Sequence, residues 1–86
     1  MNHRAYKNRG DAYLAIGQVD AAIMDYDKAI ALNPNLAAAY QNRAIARTET
    51  KDYVNAWADV RMLRKLGGTP SPSLVADLTK ASGRSE

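Results

Sequence analysis

Few side chains in these 86 residues could do covalent or acid–base chemistry, and none is paired for it. His3 is the only histidine and stands at the start of the first helical segment, apart from any ligand set or nucleophile. The absence of cysteine removes disulfides, thiolate metal sites and thiol nucleophiles. Asp25 and Asp27 lie two apart, so on a helix they face different directions and make a poor acid–base pair; both are expected as solvated carboxylates. The glycines are dispersed and form no phosphate-cradling loop. No catalytic residue, metal site or cofactor is therefore expected. Asn8 and Asn42 are more informative, because they are separated by a spacing that recurs elsewhere. An amide offers both a donor and an acceptor, and stacked amides can grip an extended backbone. The other reading is that they bond within the domain or to solvent.

That spacing is 34 residues. Ala5, Tyr6, Asn8, Arg9 and Ala12 fall on Ala39, Tyr40, Asn42, Arg43 and Ala46, and Ala22, Asp25 and Leu32 fall on Ala56, Asp59 and Leu66. A fixed period of this size means one supersecondary unit stacked on a copy of itself. Function in such a protein sits on a surface built from equivalent positions, not in a catalytic pocket.

Breakers divide the chain into five helical segments, read as about 3–16, 19 or 20 to 32, 36–50, 51 or 52 to 66, and 72–81. Gly17 suits a left-handed helix end, Pro34 ends the second segment, Asn35 is placed to cap the third, Gly67-Gly68 stop the fourth, and Ser71-Pro72 opens the fifth. Short connections imply antiparallel hairpins. Gly10 inside the first segment implies close approach of its partner helix, with Ala22 and Ala29 opposite and Tyr6, Tyr13 and Tyr26 around the contact. Arg9 and Arg43 fall near the seam between helices, where their stems are expected to pack.

The net charge of +3 is spread among interspersed acids, with one basic cluster at Arg61, Arg64 and Lys65. Nucleic acid is therefore not the expected partner, since several phosphate contacts normally set that affinity. No apolar run is long enough to span a bilayer, so a soluble chain with no membrane partner is expected, most simply cytoplasmic.

Tyr6, Gly10, Tyr13, Gly17, Ala22, Tyr26, Ala29 and Pro34 together resemble the tetratricopeptide repeat family. The resemblance implies an all-α fold, an α-α superhelix of two antiparallel hairpins with a C-terminal capping helix. Residues 3–36 would be the first repeat, 37–70 a degenerate second one, 71–82 the cap and 83–86 a disordered tail. The second unit departs at Arg47, Lys51, Val60, Leu63 and Gly68, where the first has Tyr13, Gly17, Tyr26, Ala29 and Pro34.

The family usually binds a peptide in the concave surface lined by the first helix of each unit. Here that surface would hold Arg4, Lys7, Asn8, Asp11, Leu14, Gln41, Asn42, Ile45, Thr48 and Glu49. Lys7 would favour a carboxylate, and Ile45 would offer an apolar contact. One subtype clamps the acidic tails of heat-shock chaperones through paired carboxylates. Lys7 and Asn42 stand at two of its positions, but Asp11, Pro72 and Ala76 replace an asparagine and two basic residues. The implied function is protein–protein interaction in the groove. The alternative is a structural unit that stacks, or forms a homo-oligomer, through an N-terminal end without a shielding helix.

Overall fold

The computed structural model describes residues 1–84 and contains five α-helices. They are α1 (His3–Ala15), α2 (Val19–Leu32), α3 (Ala37–Glu49), α4 (Tyr53–Lys65) and α5 (Pro72–Ser82). No strand occurs among the described residues. α1 packs on α2 and α3 on α4, giving two hairpins; α2 lies against α3, and α5 lies against both α3 and α4.

The helix ends follow local chemistry. Asn2 caps α1, its Oδ1 accepting the Ala5 N–H at 2.8 Å. Ser71 caps α5 by accepting the Leu74 N–H at 3.1 Å, with Pro72 in the first turn. The expected cap at Asn35 is not made. α3 starts at Ala37, one residue later than expected, and Asn33 instead accepts the Asn35 N–H at 3.2 Å while the Leu36 N–H bonds to the Asn33 carbonyl. A closed turn around Pro34 therefore replaces the side-chain cap. Gly83, in the left-handed conformation, ends α5, so it belongs to the helix terminus; Ser85 and Glu86 of the expected tail lie outside the described residues.

Three helices end in one motif. Gly17, Lys51 and Gly67 have φ of 83°, 64° and 86°. The next residue in each case returns its N–H to the helix, Gln18 to Tyr13, Asp52 to Arg47 and Gly68 to Leu63. This is the Schellman arrangement, whose left-handed residue is normally glycine because a Cβ is strained there. Lys51 performs it with a side chain. Lys51→Gly is expected to stabilise the domain by about 0.5–1 kcal/mol, the relief of strain outweighing the added freedom of the unfolded chain. A thermal melt should rise by a few degrees, and a fall would mean that the lysine side chain is needed there.

Two apolar clusters form the core. The first holds Ala22, Tyr26 and Ala46, with Tyr13, Leu14, Val19 and Ile23 packed against it. The second holds Ala44, Ala56, Trp57, Val60, Leu74 and Leu78. Through Leu74 and Leu78, α5 covers the apolar side of the second hairpin, and the Trp57 indole N–H donates to Ser82 Oγ at 3.1 Å.

Gly10 is buried against the partner helix, as expected. A Cβ there would meet the Tyr26 ring of α2 at 2.8–3.1 Å, so the glycine makes room for that aromatic ring. One period later the pair becomes Ala44 and Val60, both in the same cluster. The smaller side chain on α4 leaves room for the methyl group on α3.

Candidate interaction site

α1, α3 and α5 lie side by side, α3 touching both of the others. Polar rungs tie them together. Asp11 on α1 accepts from Asn42 Nδ2 on α3 at 2.8 Å and from the Tyr26 hydroxyl on α2 at 2.6 Å. Lys7 Nζ closes on the other carboxylate oxygen at 2.8 Å, one helical turn away. Burial, and then the bond to Asp11, push the Tyr26 hydroxyl well above its ordinary range, so it stays protonated and donates. Between α3 and α5, Gln41 Oε1 accepts the Ser71 N–H at 2.8 Å and fixes the start of the last helix.

The ten residues expected on this face therefore divide. Lys7, Asp11, Asn42 and Gln41 are engaged within the domain, which for the Asn42 Nδ2 is the second of the two readings. Leu14 packs against the first core cluster. Arg4 and Asn8 are exposed, and the Asn8 side chain has no hydrogen-bond partner among the described residues. Ile45, Thr48 and Glu49 come together with Ser71, Ser73, Leu74 and Asp77 around a cavity of about 160 Å³ between α3 and α5. Its floor is Ile45 and Leu74, its rim carries Glu49 and Asp77, and Thr48 Oγ1 donates back to the Ala44 carbonyl at 2.7 Å. The α5 half of this cavity was missed in the sequence. The clamp positions are also accounted for: Lys7 is neutralised by Asp11, and nothing basic from α5 lines the cavity.

The second finding lies at the seams. Asp25 is not solvated but 2% exposed, held by Arg9 Nε and Nη2 at 2.7 and 2.8 Å. Those hydrogen bonds hold its carboxyl below the usual range against the opposing effect of burial. Asp59, one period later and also 2% exposed, receives Arg43 Nε and Nη2 at 3.0 and 2.7 Å and Arg47 Nη1 at 2.9 Å. Arg43 Nη1 reaches back to Asp27 on α2 at 2.9 Å and links the two hairpins. Burial acts against the Arg43 charge, but its bonds to Asp59 and Asp27 outweigh that and raise its pKa. The arginines at the seam thus do more than pack their stems. The signal was present in the sequence, because Arg9–Asp25 and Arg43–Asp59 share one separation and repeat with the period.

Paired helices stacked in register, with the same ion pair inside each hairpin, define a helical-repeat protein. Residues 3–36 match the family model of the tetratricopeptide repeat. The all-α arrangement of five helices agrees with that fold. No solved structure matches the chain. Tetratricopeptide repeats are non-catalytic modules that generally mediate protein–protein interactions. Among the described residues, no helix is long and apolar enough to cross a membrane.

Proposed function

We propose that this chain is a protein–protein interaction module that binds a peptide or helix segment along the face of α1, α3 and α5. Residues 37–70 serve as a second, degenerate repeat and residues 71–82 as the cap of the stack. The observation that supports this reading is the cavity between α3 and α5, where Ile45, Thr48 and Glu49 meet Ser73, Leu74 and Asp77. An aliphatic floor rimmed by two carboxylates suits a long side chain with an apolar stem and a basic head, so a lysine or arginine of the partner enters it. Arg4 and Asn8, exposed on α1, extend the contact along the partner backbone.

The test is a selection of random displayed peptides on the intact chain. The expected winners carry a basic residue beside aliphatic ones. The Glu49→Lys/Asp77→Lys double variant changes two exposed side chains, so it should melt like the parent. It should bind the winners about ten-fold more weakly, roughly the sum of two rim charge contacts. Winners without basic residues, or with undiminished affinity for the variant, would end this reading.

A further inference from the structure

Most carboxylates of the domain are already engaged. Asp11, Asp25, Asp27 and Asp59 each hold a cation, and Asp52 accepts the Asn55 amide. Glu49 and Asp77 have no ion-pair or hydrogen-bond partner among the described residues, yet both line the cavity between α3 and α5. A third acceptor lines it with them. Thr48 Oγ1 gives its only proton to the Ala44 carbonyl at 2.7 Å, so toward a ligand it can only accept. The apolar lining is Ile45 and Leu74, and no aromatic ring among the described residues contributes. A volume of about 160 Å³ holds roughly five water-sized groups at about 30 Å³ each.

These features choose between the basic side chains. A lysine ends a four-carbon stem in a tetrahedral nitrogen with three donors, which matches both the volume and the three acceptors. A guanidinium is a flat fork with two more heavy atoms, and it favours one carboxylate in its own plane or an aromatic face. Here the two carboxylates come from different helices, Glu49 from α3 and Asp77 from α5, and the ring is missing. The fork would overhang the rim and meet water. Acetylation of a lysine removes its charge and leaves a single N–H donor.

We infer, resting on the binding face proposed above, that this cavity is a subsite for one unmodified lysine of the partner. Thr48 sets the preference for lysine over arginine, and acetylation of that lysine releases the contact.

Side-chain fragments test the subsite without a peptide. They are n-butylammonium, n-propylguanidinium and N-butylacetamide, each titrated into the intact isotope-labelled chain at neutral pH. Butylammonium should move the amide shifts of Ile45, Thr48, Leu74 and Asp77 saturably, at roughly the tens of millimolar expected of so small a ligand. Propylguanidinium should bind about three- to five-fold more weakly, and the acetamide at least about ten-fold more weakly. Thr48→Val keeps the size of the side chain and both carboxylates, so it should melt like the parent. It should weaken butylammonium about three- to five-fold and bring the two cations level, while Thr48→Ser keeps the preference. Equal or tighter binding of propylguanidinium, or an undiminished ammonium preference in Thr48→Val, would overturn the lysine subsite but leave a basic partner in place. Acetamide binding as tight as butylammonium, or no shifts at the cavity with any fragment at about 100 mM, would overturn both.

Discussion

Asp59→Ala is expected to cost about 3–5 kcal/mol, the range for removing one member of a buried ion pair. Asp59 is 2% exposed and is the common acceptor for Arg43 and Arg47, whose side chains are 14% and 19% exposed. Removing it leaves two largely desolvated guanidinium groups, with only Asp27 left to serve Arg43. A domain of this size has a net stability of only a few kcal/mol, so the variant should be largely unfolded at room temperature. Asp25→Ala should cost less, since the 43% exposed Arg9 side chain can turn to water when its partner is lost. Replacing Asp59, Arg43 and Arg47 together by apolar residues of similar volume should recover much of the loss, because the penalty lies in the unpaired charge. Urea denaturation monitored by Trp57 fluorescence measures all three. An Asp59→Ala midpoint equal to the parent's would mean that the seam charges contribute nothing to folding.

Gly10→Ala is expected to destabilise by about 1–2 kcal/mol, although alanine is the better helix former by about 1 kcal/mol. The opposing effect is overpacking, typically about 1–3 kcal/mol. The new Cβ falls 2.8 Å from a ring carbon of Tyr26. That ring is fully buried and its hydroxyl is tied to Asp11 at 2.6 Å, so it cannot step aside cheaply. In a Tyr26→Val background the same change should be neutral or stabilising, reproducing the Ala44–Val60 pairing of the second hairpin. A double-mutant cycle should therefore give a coupling of about 2 kcal/mol. Additive effects would show that the departures at Ala44 and Val60 arose independently.

The elements were more legible than their contacts. The period, the breakers and the small-residue stripe give five helices whose ends agree with the structure to within one or two residues. Alternating small and aromatic positions carry that information locally. Asp25 was misplaced in solvent because an acid in a helix is usually solvated, and nothing in one helix shows what another brings to it. Its partner Arg9 lies sixteen residues away, and only the recurrence of that separation between Arg43 and Asp59 betrays it. Asn35 failed as a cap because the turn around Pro34 closed on Asn33 instead. The α5 side of the cavity was illegible for a related reason. Its position depends on Leu74 and Leu78 packing into the second cluster, on the Trp57 bond to Ser82 and on the Ser71 N–H donated to Gln41, contacts between residues with no shared pattern.

Binding along α1, α3 and α5 is tested most directly by a chemical-shift map of the intact chain with a basic peptide from the displayed library. The expected result is a continuous band through Asn8, Ile45, Thr48, Leu74 and Asp77, which in the Glu49→Lys/Asp77→Lys chain needs about ten-fold more peptide to appear. A band on α2 and α4 instead, around the exposed Met24 and Val54, would contradict it.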